Sequence, residues 1–319
     1  MMSFAFVFPG QGSQSVGMLA SLAAEAPAVR ATFDEASKVL GYDMWKLTQE
    51  GPAEQLDSTE YTQPVMLAAG VATWRVWREE GGPDPAVVAG HSLGEFTALV
   101  CAGVLQFGAA LELVRFRGRV MQEAVPQGTG AMAAILGLED ADIEAACREA
   151  AQGQVVEAVN FNSPGQTVIA GHAEAVQRAI EAAKARGAKR AVPLPVSVPS
   201  HSSLMEAAAE RFAARLAEVE LSAPTIRYVS AVDARAYRDP AEIRALLSRQ
   251  LARPVRWSDT VRALLAEGVS ALIECGPGKV LTGLNRRIER RADLHCLALE
   301  DRASIQSAVR TVRGESHAG

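Results

Sequence analysis

The amino-acid sequence predicts an α/β protein in which a small domain is inserted into a larger one. Short apolar runs alternate with helix-like stretches along most of the chain, one segment breaks that alternation with a βαββαβ order, and Pro and Gly bracket the segment. Buried strands are expected at residues 4–8, 86–89, 131–136, 167–170, 190–196, 226–229 and 271–274, where short apolar runs end at turn residues. The exceptional segment reads strand 131–136, helix 140–151, strand 155–162, strand 166–170, helix 174–186 and strand 190–196, the ferredoxin-like order. It follows Val125-Pro126-Gln127-Gly128 and ends at Val198-Pro199. The expected domains are therefore 1–126 with 199–319, and 127–198, with a ligand cleft between them.

Length and composition fit this plan. The 319 residues suffice for a sizeable core, and 49% hydrophobic with 22% charged residues is the balance of a globular protein. A net charge of -5 gives no overall attraction to nucleic acid or anionic membranes. Cys101, Cys147, Cys275 and Cys296 are scattered without C-x-x-C spacing, so neither a zinc site nor a disulfide framework is expected. The opening run Phe4-Ala5-Phe6-Val7-Phe8 has no basic flank and stops at Pro9-Gly10; it reads as a first buried strand rather than a signal peptide or membrane span, with the cytoplasm as expected location. Residues 314–319 read as a frayed tail.

The chemistry begins at Gly90-His91-Ser92-Leu93-Gly94. A serine between two glycines, where an apolar strand gives way to a helix, fits a tight elbow that exposes the hydroxyl as a nucleophile at a helix N-terminus. Such a serine needs a base, and there are five histidines. His317 lies in the tail, His295 in a late apolar strand, and His172 at the start of a solvated helix, while His91 points away from its neighbour around the elbow. His201 remains, at a strand-to-helix turn beside the expected hinge. No Asp or Glu between Ser92 and His201 stands in an evident strand-end loop, so a backbone carbonyl is the expected orienter of the base.

Arg117 is the second clue. In a helix expected over 107–123 its neighbours three and four positions away are Leu113, Val114, Val120 and Met121, so it faces the core, whereas Arg115 and Arg119 have more polar settings. A buried guanidinium needs an anion, either an internal Asp or Glu or a substrate carboxylate bound bidentately. Phe8-Pro9-Gly10-Gln11-Gly12-Ser13-Gln14 could bring an N–H to an oxyanion, but its glycines lack dinucleotide-loop spacing. Gly276-Pro277-Gly278-Lys279-Val280 likewise lacks the spacing of a phosphate loop.

Phe8-Pro9-Gly10-Gln11-Gly12, Thr62-Gln63-Pro64, Gly90-His91-Ser92-Leu93-Gly94, Arg117, Val198-Pro199-Ser200-His201, and Gln250-Leu251 through Pro254-Val255-Arg256-Trp257 together resemble the malonyl-CoA:acyl-carrier-protein transacylases of type II fatty acid synthesis, over nearly the whole chain. The resemblance implies an α/β-hydrolase-like large domain with the ferredoxin-like insertion. It implies acylation of Ser92, His201 as general base and acid, the Gln11 and Leu93 amides as oxyanion hole, the Gln250 carbonyl as orienter of His201, and Arg117 as partner of the malonyl carboxylate. Gln63 and Asn160 fall where the family lines its acyl pocket. The implied reaction is a ping-pong malonyl transfer from malonyl-CoA to the phosphopantetheine of acyl carrier protein, without metal or redox cofactor, by a monomer. Lys189-Arg190, Arg286-Arg287 and Arg290-Arg291 are the cations that could meet an acidic carrier. The alternatives are a serine thioesterase or esterase that uses water as acceptor, an acyltransferase serving a polyketide synthase, and a catalytically silent docking module.

Overall fold

The computed structural model describes residues 2–126, 128–196 and 198–315. The expected boundary residue Gln127, and 316–319 of the expected tail with His317, lie outside the described residues.

Among the described residues ten strands form two sheets. Six belong to the larger: β1 (Phe4–Phe8), β2 (Val87–Gly90), β7 (Arg227–Val229), β8 (Ala236–Tyr237), β9 (Ala271–Glu274) and β10 (His295–Ala298), in the order β10-β9-β1-β2-β7-β8. All neighbours are parallel except the β7–β8 pair at one edge. β1 is uniformly apolar because both of its faces are covered. Phe4, Phe6 and Phe8 pack into one core, where Trp77 lies 4.9 Å from the Phe6 ring, while Ala5 and Val7 join the core on the opposite face.

The small sheet contains β3 (Gly130–Leu136), β4 (Val156–Ser163), β5 (Gln166–His172) and β6 (Arg190–Pro193), antiparallel in the order β4-β5-β3-β6. Helices Asp140–Ala151 and Ala173–Ala185 cover one face, burying Ile143, Cys147, Val176 and Ile180 against Ala133, Ile135 and Ile169. Met132, Val159, Val168 and Ala170 form the other face. The fold is α/β, with an α/β-hydrolase-like part and a ferredoxin-like part, as the sequence predicts.

Two departures are informative. The last small-sheet strand stops at Pro193 rather than 196: the Leu194 N–H still donates to Met132 O (2.9 Å), but the Val196 N–H, next in line to face β3, turns back to Leu194 O (2.8 Å). Residues 194–196 line a cavity instead. The edge strand β8, two residues long, gave no periodic signal in the sequence.

The two sheets are also stitched together. Phe161 N–H donates to Val255 O (2.9 Å) and Val255 N–H to Val159 O (2.8 Å), so β4 bridges to a segment of the large domain. Arg287 on the helix Val280–Ile288 adds a 2.6 Å hydrogen bond to Gln166 on β5.

Candidate active site

The site grows from the C-terminal ends of the adjacent parallel strands β1 and β2, where Phe8 pairs with Gly90. Ser92 has φ 52°, a left-handed conformation that a serine adopts only when its surroundings impose it. Both flanking glycines are sterically required. A Cβ on Gly90 would lie 1.9 Å from Gly94 C, and one on Gly94 would lie 2.0 Å from Phe8 O. The β1 loop also presses close, since a Cβ on Gly10 would lie 2.6 Å from His91 O. The helix Gly94–Cys101 follows at once, so its N-terminus faces the serine.

His201 lies against the serine. Its Nε2 lies 2.7 Å from Ser92 Oγ, and its Nδ1 lies 3.0 Å from both Gln250 O and Arg253 O. Carbonyls only accept, so Nδ1 carries the proton and Nε2 is left to accept from the serine hydroxyl. Two backbone carbonyls thus stand where an acid is usual. Burial, then the charge of Arg117, pulls the His201 pKa down to about 3, so the ring is neutral. His91 is held elsewhere, with Nε2 2.8 Å from Asn162 Oδ1, and burial lowers its pKa too.

Arg117, on the helix Phe107–Glu123, is fully buried. Among the described residues no carboxylate lies within ion-pair distance of it. Its Nη1 donates to Gln63 Oε1 (2.9 Å) and its Nη2 to Gln250 Oε1 (3.1 Å), with Ser92 Oγ 3.3 Å from Nη2. Nε is buried without a partner, and the Phe96 ring centroid lies 5.5 Å from the guanidinium carbon. Burial lowers the pKa to about 10, which leaves the group cationic at neutral pH. Arg115 instead pairs with Glu60 (3.1 Å), and Arg119 is exposed.

A cavity of about 430 Å³ opens onto these groups from between the two sheets. Gln11, Ser92, Met121, Met132, Asn160 and His201 are among its walls. Gln63 Nε2 donates to Gln11 Oε1 (3.3 Å), which places Gln63 behind that wall, while Asn160 Oδ1 is buried without a hydrogen-bond partner. Leu93, at the start of the elbow helix, is buried.

Residues 5–299 match the model of the acyl transferase domain family. The malonyl CoA-acyl carrier protein transacylase of Salmonella typhimurium is 59% identical over 309 residues, which cover 97% of this chain and 99% of that protein. The chain belongs to the acyl transferase family. The structure of the malonyl CoA-acyl carrier protein transacylase from Coxiella burnetii superposes with a TM-score of 0.96 at 50% identity, covering 98% of each chain. A malonyl-transacylase solved in complex with its type II PKS acyl-carrier protein gives 0.95 at 55% identity, over 97% of this chain and 99% of that one.

In this acyl transferase the structure brings together Gln11, Gln63, Ser92, Leu93, Arg117, His201 and Gln250 from six separate stretches around the large sheet and Asn160 from β4 of the small one. Three contributors escaped the sequence reading. Arg253 supplies its carbonyl, Asn162 holds His91, and Glu95 binds the Gln250 side chain. Only Glu95 left a trace in the sequence, as a lone acid ahead of Phe96-Thr97-Ala98-Leu99. Several of the basic residues considered for carrier docking are engaged: Arg286 with Cys296 O (2.9 Å), Arg287 with Gln166, and Arg291 with Asp293 (3.3 Å). Among the described residues no helix is long and apolar enough to cross a membrane.

Proposed function

We propose that this acyl transferase moves a malonyl group from malonyl-CoA to the phosphopantetheine thiol of acyl carrier protein through a malonyl ester on Ser92. The supporting observation is Arg117, a buried guanidinium held by amide oxygens rather than a carboxylate, with Nη2 3.3 Å from the serine oxygen. Such a cation is available to an acyl group that carries its own carboxylate.

In the first half-reaction Ser92 Oγ attacks the thioester carbonyl while His201 Nε2 takes its proton. The Gln11 and Leu93 amides receive the oxyanion, and the Gln250 carbonyl, joined by that of Arg253, steadies the imidazolium. Collapse expels CoA, which leaves with the proton from His201. The carrier thiol then enters, gives its proton to His201 and attacks the ester, and Ser92 recovers its proton as it leaves. The free malonyl carboxylate rests on Arg117, with Gln63 behind the guanidinium and Asn160 in the acyl wall. Because the charge of Arg117 helps depress the His201 pKa, a carboxylate bound there raises the basicity of His201 when substrate arrives. The reading places residues 127–198 as the inserted domain, calls on no metal or redox cofactor, and sets the reaction in the cytoplasm.

Intact-mass spectrometry on protein mixed with malonyl-, methylmalonyl- and acetyl-CoA tests the reading. A malonyl adduct is expected on wild type, and Arg117→Ala should lose malonyl labelling with a relative gain for acetyl. CoA release unaffected by acyl carrier protein would replace transfer by hydrolysis, and an unchanged malonyl preference in Arg117→Ala would remove the carboxylate assignment.

A further inference from the structure

We propose that Glu95 is a positioning residue that sets the preference for carboxylate-bearing acyl groups by fixing the sense of the Gln250 amide. The inference rests on Arg117 being the partner of the acyl carboxylate.

Glu95 lies on the elbow helix, three residues after the nucleophile, and is 0% exposed, as is Arg117; Gln250 is 1% exposed. One carboxylate oxygen, Oε1, accepts from Tyr228 OH (2.8 Å) and from Ala231 N–H (2.7 Å). The other, Oε2, accepts from Gln250 Nε2, which also reaches Ser92 O at 3.1 Å. Burial raises the Glu95 pKa, against the hydrogen bonds from Ser230, Tyr228, Ala231 and Gln250 that favour the charged form; ionised, the carboxylate only accepts, so it admits the NH₂ end of the amide and excludes the oxygen end. Oε1 of Gln250 is thereby turned to Arg117 Nη2, 3.1 Å away. A flipped amide would set NH₂ against the guanidinium and leave both groups unpaired in a buried setting.

The interposed amide has a second consequence. A direct Glu95–Arg117 pair would neutralise the guanidinium and compete with the substrate carboxylate. A neutral spacer keeps the two charges apart yet near enough to offset part of the cost of burying the cation. The internal acid that the sequence left open as a partner for Arg117 therefore exists, but one residue removed.

Glu95→Gln keeps the size and removes the bias, because a second amide accepts either end of the first. For the full-length protein this variant should raise the malonyl-CoA KM about tenfold with kcat nearly unchanged, the size expected for one charge-assisted hydrogen bond. Acetyl-serine formation, which loses only the Gln250 bond to Ser92 O, should fall less than malonyl-serine formation, so the malonyl-to-acetyl ratio drops. In an Arg117→Ala background Glu95→Gln should leave the malonyl-to-acetyl ratio where it is, since the interaction it acts through is gone. An unchanged ratio in the single variant, or an equal effect with and without Arg117, overturns the proposal. The exchange Glu95→Gln with Gln250→Glu retains one buried carboxylate and covers the case in which the single variant fails to fold. It sets the carboxylate on Arg117 and should abolish malonyl preference; a wild-type preference in the exchanged protein also overturns the proposal. Failure of wild type to take up malonyl refutes the transferase reading itself, whereas normal wild-type labelling with an indifferent Glu95→Gln refutes only the role of Glu95.

Discussion

Ser92 and His201 share a left-handed backbone, with φ of 52° and 67°, and lie 2.7 Å apart, yet the two conformations are held in different ways. At Ser92 the constraint is local: the strand before, the helix after, and two glycines that admit no Cβ. At His201 it comes from a distance. The His201 N–H donates to Leu251 O (2.9 Å), Nδ1 to two further carbonyls, and Glu157 on β4 of the small sheet grips Ser203 N–H and Oγ at 2.8 Å each. The corner that presents Ser92 is thus formed by a short sequence motif. The pose of His201 requires both sheets and their bridge at Val255.

The sharpest break between the two comes from Ser92→Ala, which removes the chemistry and leaves the elbow. Acylation should fall by at least about 10⁴-fold, with the thermal midpoint little changed; an acyl adduct on this variant in intact-mass spectra would move the nucleophile elsewhere. Gly94→Ala breaks the elbow itself, because the new methyl overlaps Phe8 O. A loss of about 3 kcal/mol in urea unfolding is expected, the upper range for forced overpacking. A near-neutral result would mean that the turn yields more easily than its packing implies.

Glu157→Gln acts on the other side alone. Losing charge-assisted bonds to Ser203 should lower stability by about 1–2 kcal/mol and kcat about tenfold, with the malonyl-CoA KM unchanged. A wild-type kcat would show that the loop of His201 holds itself without the small domain. The smallest effect concerns pH. The folded His201 pKa, about 3, lies below the ordinary 6.5, so between these values the unfolded chain takes up a proton that the folded one refuses. Stability from this group is complete above 6.5 and declines as pH falls toward 3. Between pH 6.5 and 5.5 wild type should lose about 1 kcal/mol more than His201→Ala, a comparison that cancels the contribution of His91. Parallel stability curves for the two proteins would contradict the neutral, buried ring.

The helix Phe107–Glu123 was legible to the residue, and so was the inward face of Arg117, since both follow from apolar spacing along one helix. The small domain's strand order followed from its βαββαβ succession, which leaves few ways to pair. The end of β6 was not legible, because Ala191 to Val196 stays apolar throughout while the pairing ends where the Val196 N–H turns back to Leu194 O, a backbone bond that no side chain announces. Tyr228, Ala231 and Gln250 around Glu95 were invisible, being 133 to 155 residues away.

By itself the sequence determined the fold class, the strained serine, the inward arginine and, by elimination, the histidine. Each is written in spacing, glycine sterics or the scarcity of a residue type, all properties of short stretches of chain. Tertiary structure alone decided what stands next to them: two carbonyls behind His201 in place of an acid, and an amide between Glu95 and Arg117 in place of an ion pair. A backbone carbonyl is common to every residue, and the sense of an amide is set by its neighbours, so neither is recorded in the residues that provide them.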